Sequence, residues 1–164
     1  MILAARPTKP PALRLSSFVP FRLNRLAVEV SNHLSEIYRE RFGLEIPEWR
    51  VLVTVAPEHG CTAQQIAAST RMHKTRVSRA IAYLMEKELI ERVANSEDRR
   101  EMQLQLTKAG RRVYSELVPL ALERERALMA CLTKTELRSF VAALDRLEGF
   151  LGLGEGITVP DRGS

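Results

Sequence analysis

Cysteine is scarce: Cys61 and Cys131 are the only two in 164 residues, and they stand outside any Cys-x-x-Cys or Cys/His cluster. That spacing argues against a disulfide framework and against a thiolate-bound metal, and it reads as two ordinary thiols in a reducing compartment. Cys61 directly precedes a predicted helix start, where a thiolate is favoured, so a redox-responsive regulator using Cys61 is the one thiol chemistry left open. Long apolar runs are also lacking. None approaches the roughly 18 residues of a membrane helix, and the opening MILAA is too short for a signal-peptide core. The expectation is a cytoplasmic protein with no membrane partner. No nucleophile motif, glycine-rich phosphate loop or metal-spaced cluster occurs, which points away from an enzyme, a cofactor or a metal site.

Acid is missing from the N-terminal region. The first acidic residue is Glu29, after Arg6, Lys9, Arg14, Arg22 and Arg25. A second acid-free basic cluster runs through Arg71, Lys74, Arg76 and Arg79. The formal charge of +5 and pI near 9.6 admit nucleic acid or an anionic surface as partner without selecting either. What is present, at 45% hydrophobic and 27% charged residues, is the composition of one ordinary globular core.

Residues 1–16 hold Pro7, Pro10 and Pro11 among polar and basic residues and read as a flexible arm. From about Ser17 to Phe42 the pattern is helical, with Leu23, Leu26, Val30, His33 and Ile37 at spacings of three and four, and Gly43 as C-cap. Pro47 sits in the first turn of a short apolar helix, IPEWRVLVTVA. Thr62 with Gln65 has capping-box spacing for a third helix. After the brief turn RMH comes KTRVSRAIAYLMEKE, whose Val77, Ala80, Ile81, Leu84 and Met85 trace one apolar stripe. Two helices joined by a tight turn, the second amphipathic and basic at its start, outline a helix-turn-helix.

Beyond Glu88 the period shifts towards two. LIERVAN and EMQLQL are short strand candidates separated by Ser96 to Arg100. A helix-turn-helix followed by a hairpin is a winged helix. Thr107 then caps a long helix over roughly 108–131 with Val113, Leu117, Leu120 and Leu128, where Pro119 predicts a kink or break. Thr133 with Glu136 opens a last helix carrying Leu137, Phe140, Val141, Leu144 and Leu147. Residues 152–164 read as a flexible, glycine-containing tail.

The segment IAASTRMHKTRVSRAIAYLMEKELIERVANSEDRREMQLQLTKAG, Ile66 to Gly110, resembles the multiple-antibiotic-resistance regulator (MarR) family of winged-helix transcription factors. Its most specific parts are the Asp98 to Arg100 tip and LTKAG, Leu106 to Gly110. The resemblance implies a mainly α fold with a small β-hairpin wing, the winged helix-turn-helix over about 47–106. Dimerisation helices over about 17–43 and 107–151 complete a single domain, residues 17–151. Two departures stand out. Glu88 occupies a position where the family usually has Gly, so the recognition helix is expected to end without that C-cap. His73 stands where Ser or a similar cap is usual, and is a poorer N-cap.

The N-terminus of a helix lying in the major groove is where side chains reach base edges, and Lys74, Thr75, Arg76, Ser78 and Arg79 occupy it here. The bland alternative, a solvated basic face, loses ground because the cluster lies on the second helix of a helix-turn-helix. For the wing, the resemblance implies that Arg100 enters the minor groove with Asp98 orienting it, while Arg99 meets phosphate. The competing reading is an exposed turn ion pair worth at most about 1 kcal/mol. One winged helix reads few base pairs, so a homodimer on a pseudo-palindromic operator in double-stranded DNA is expected.

Family members commonly bind small aromatic or otherwise anionic effectors. The start of the domain is similar to a branch that senses aryl-CoA thioesters, which makes a phenolic acid or its CoA thioester the expected ligand class. Arg22 and Arg25 could hold phosphates, with His33, Trp49 and Arg50 as further ligand candidates. His33 and Trp49 are equally readable as core packing. The reading is a DNA-binding repressor released by such a ligand. The rivals are a winged helix used only for protein interaction and the Cys61 redox regulator.

Overall fold

The computed structural model describes residues 12–57, 60–94 and 102–153. The chain divides into two units, Met1–His33 and Leu34–Ser164, and the long first helix belongs to both. That helix, α1, spans Val19–Phe42 and follows a 3-10 turn at Leu15–Ser17. α1 ends at Gly43, where φ of +64° lets the Leu44 N–H reach back to the Tyr38 carbonyl at 3.0 Å. In the first unit no described residue is buried. Leu23 and Leu26 of the predicted stripe are exposed, as are Leu13, Leu15, Phe18, Val19 and Val28.

The second unit holds the core. α2 (Ile46–Val55), α3 (Ala63–Thr70) and α4 (Lys74–Glu86) bring together Val51, Leu52, Val55, Ile66, Val77, Ala80, Ile81 and Leu84, all buried. Each helix starts where its sequence signals. The Glu48 carboxylate accepts the Glu45 N–H ahead of α2, and Thr62 and Gln65 exchange the two bonds of a capping box ahead of α3. β1 (Ile90–Ala94) and β2 (Met102–Leu106) pair antiparallel, with Ile90 opposite Leu106 and Arg92 opposite Leu104. Ile90, Leu104 and Leu106 point inward onto the helices, and Cys61 adds a single bridge to Leu104 on the open side of β2.

α5 (Lys108–Met129) and α6 (Lys134–Phe150) follow, capped by Thr107 and by the Thr133/Glu136 box. Of the kink or break predicted at Pro119, the break does not occur: α5 runs on through it. Proline's φ near −65° is already helical, and it deletes a single N–H donor, while buried Leu117 anchors the helix just before it. α6 buries none of its residues. Leu137, Phe140 and Leu144 are half-buried, and Val141, Leu147 and Phe150 are exposed. No described helix is long and apolar enough to cross a membrane.

Candidate nucleic-acid interface

α4 presents two faces set by its 3.6-residue period. Val77, Ala80, Ile81 and Leu84 fill the core, and Lys74, Thr75, Arg76, Ser78 and Arg79 are all exposed on the other side. No Asp or Glu occurs from Cys61 to Met85. Among the described residues, no ion pair or side-chain hydrogen bond occupies Lys74, Arg76 or Arg79. Their charges therefore add to one another and to the positive end of the helix dipole, which makes this end of α4 a concentrated cationic surface.

The ends of α4 show how the sequence's two departures are accommodated. His73 is the N-cap: its Nδ1 accepts the Thr75 N–H at 3.3 Å. The imidazole thus takes the role usually given to a hydroxyl, with a longer bond. At the other end the expected loss of the C-cap is corrected. Glu88 adopts φ of +54°, the left-handed geometry glycine would supply. The Leu89 N–H reaches the Leu84 carbonyl at 2.9 Å and the Glu88 N–H reaches Met85 at 3.0 Å, the paired bonds of a Schellman motif.

LTKAG has a structural explanation. Leu106 is buried, and Thr107 Oγ1 donates to the Glu88 carbonyl at 2.6 Å while accepting the Gly110 N–H at 3.0 Å. A Cβ on Gly110 would lie 1.9 Å from the Leu89 carbonyl oxygen. Only glycine lets α5 start this close to the chain leaving α4, so the motif locks α4, the hairpin and α5 together. Tyr83 ties α4 to the turn after α1, its hydroxyl donating to the Gly43 carbonyl at 2.8 Å, with Lys87 Nζ over its ring at 5.6 Å. The wing tip, Asp98, Arg99 and Arg100, lies outside the described residues.

The ligand candidates are scattered. Arg22 and Arg25 are exposed on α1, one turn apart, and His33 on the same helix is half-buried. Trp49 stacks on buried Tyr38 with centroids 5.5 Å apart and planes at 16°, which accounts for it as packing. Arg50 is exposed but close enough to Tyr38 for its charge to oppose the upward pKa shift that burial gives that phenol. A cleft of about 450 Å³ opens between α1 and α5, lined by Glu36, Ile37, Glu40, Arg41, Leu120, Glu123, Arg124 and Ala127. None of the five candidates lines it, and carboxylates outnumber guanidinium groups there.

Cys61 is buried and its Sγ donates to the Thr54 carbonyl at 3.6 Å. Burial pushes its thiol up to about 11, the opposite of the thiolate-favouring shift expected from its place before a helix. Desolvation in the core thus opposes thiolate formation at Cys61, which weakens the support for the redox reading. Arg71 belongs to the basic cluster seen in the sequence but not to its site candidates, because it precedes the helix. It is exposed at the C-cap of α3 in a left-handed conformation, a feature periodicity does not reveal.

Residues 42–101 match the sequence profile of the MarR family. The fold is similar to a MarR/EmrR family transcriptional regulator from Acinetobacter sp. ADP1, with a TM-score of 0.77 and 27% identity, covering 85% of this chain and 99% of that one. It is similar to CouR from Rhodococcus jostii RHA1 in its complex with p-coumaroyl-CoA, at TM-score 0.73 and 20% identity over 83% and 95% of the two chains. A third likeness is to a probable transcriptional regulator from Pseudomonas aeruginosa, at TM-score 0.67 and 25% identity over 82% and 99%. No protein with a curated description matches this chain in sequence.

Proposed function

With residues 42–101 belonging to the MarR family and the surrounding chain in that family's winged-helix fold, we propose that this protein is a homodimeric repressor that reads a pseudo-palindromic operator. The observation that carries the reading is the exposed, acid-free row Lys74, Thr75, Arg76, Ser78 and Arg79 on the second helix of the helix-turn-helix, whose three cations have no ion-pair partner among the described residues. Arg76 and Arg79 suit guanine edges or phosphates, and Thr75 and Ser78 suit phosphates or less selective base contacts. The family resemblance adds Arg100 in the minor groove, oriented by Asp98, and Arg99 on phosphate. Dimerisation through the terminal helices is favoured by their unburied apolar residues: Leu23 and Leu26 on α1, and Val141, Leu147 and Phe150 on α6.

The effector in this reading is an aromatic acid or its CoA thioester. The supporting facts are the exposed pair Arg22 and Arg25, suited to phosphates, and the likeness in fold to CouR, whose complex holds p-coumaroyl-CoA. The carboxylate-lined cleft between α1 and α5 is unsuited to a polyanion and is not its seat in this reading. The test is release of the protein from its own promoter DNA by a panel of phenolic acids and their CoA thioesters. Release by a thioester but not by its free acid supports the effector class, and no response to any member removes it.

A further inference from the structure

Two described non-glycine residues have positive φ, Arg71 and Glu88, both at +54°. A side chain with a Cβ is disfavoured there, so each position would be more relaxed as glycine. At Arg71 the conformation is imposed by its surroundings. Ile66 and Met72, on either side of the turn, are buried, and Thr70 Oγ1 donates to the Ile66 carbonyl at 2.6 Å while accepting the Met72 N–H at 3.4 Å. The turn cannot rotate away without lifting Met72 out of the core. The Arg71 side chain gains nothing from the fold: it is exposed, and no ion pair or hydrogen bond engages it among the described residues.

Its position gives it a different use. Arg71 lies two residues before the N-cap His73, beyond the helix start that carries Lys74 and Arg76. When the N-terminus of α4 enters a major groove, a residue just outside the helix faces the groove's edge, where the phosphates are, and not its floor. Resting on the DNA-binding reading above, we infer that Arg71 is a phosphate contact that clamps the helix-turn-helix to the DNA backbone without reading sequence, retained despite its backbone strain. Glu88 is the built-in control. It has the same φ at the far end of α4, and its carboxylate has no attraction to phosphate.

The experiment compares wild type, Arg71→Gly, Arg71→Lys and Glu88→Gly in full-length protein. Binding is measured to a duplex from the chain's own promoter and to a scrambled duplex of equal composition, over a salt series. Both glycine variants should melt about 2 °C or more higher. Arg71→Gly alone should flatten the plot of log affinity against log salt by about 0.9 per protomer. It should weaken both duplexes by the same factor, within about twofold, as a phosphate contact requires. Arg71→Lys should keep the wild-type slope. An unchanged slope in Arg71→Gly, or an equal flattening in Glu88→Gly, overturns the assignment. Failure of wild type to prefer its promoter duplex would instead defeat the operator-binding reading, and salt-independent binding by wild type would defeat both.

Discussion

At Gly110 one hydrogen atom separates a fitted contact from a collision, since a Cβ would sit 1.9 Å from the Leu89 carbonyl oxygen. Backbone cannot move aside as a flexible side chain can. Gly110→Ala should therefore cost about 3 kcal/mol or prevent folding, read as a fall in the urea midpoint. Glu88→Gly should act the other way. Relief of left-handed strain, partly offset by a looser unfolded chain, leaves a gain of about 1 kcal/mol. Cys61 and Cys131 form a third contrast. With its thiol pushed up to about 11 and its side chain buried, Cys61 should resist iodoacetamide at neutral pH while exposed Cys131 is alkylated, as peptide mass spectrometry would show. Rapid labelling of Cys61 in folded protein would revive its redox role.

Among the elements, the ends are most informative. The Arg39 guanidinium grips Glu45 with two bonds, Nε to Oε1 at 3.0 Å and Nη2 to Oε2 at 2.9 Å, across the turn between α1 and α2. That pairing holds the Glu45 carboxyl below the usual carboxylate range. A depressed folded value means the contribution is fully present above the unfolded pKa and is lost as pH falls through the folded one. Both groups are exposed, so the effect is small. Arg39→Gln should lower the urea midpoint slightly at neutral pH, and the difference from wild type should vanish in acid. The capping signals at Thr62, Thr107 and Thr133 were legible in the sequence because a cap is local chemistry: a hydroxyl and its partner three residues on. The α4 stripe and the β2 alternation were legible as periodic patterns. Less visible was anything without a periodic or capping signal. The left-handed backbone at Arg71 and Glu88 belongs to turns that periodicity does not reveal, α5 runs on through Pro119 although proline usually interrupts a helix, and the burial of Cys61 involves pairing with Leu104 far along the chain. For the site, the row from Lys74 to Arg79 followed from periodicity and charge, whereas Arg71 had no periodic signal.

At the scale of the whole molecule, the acid-free stretch from Cys61 to Met85 carries exposed cations, and α1 and α6 carry exposed apolar side chains such as Leu26, Leu147 and Phe150. On the dimer reading, Val141→Glu with Leu147→Glu should shift the sedimenting species to monomer and weaken DNA binding through lost bivalency, leaving the helical circular-dichroism spectrum in place. A dimer that survives both charges would move the interface elsewhere. Whether the exposed face of α4 reads DNA is decided by titration of wild type and Arg76→Glu on a duplex from the chain's own promoter. Arg76 is exposed and has no ion-pair partner among the described residues, so the variant should melt as wild type does and keep its oligomeric state, yet lose promoter affinity by about a hundredfold or more. Undiminished affinity in a folded Arg76→Glu protein would mean that this face of α4 does not read DNA.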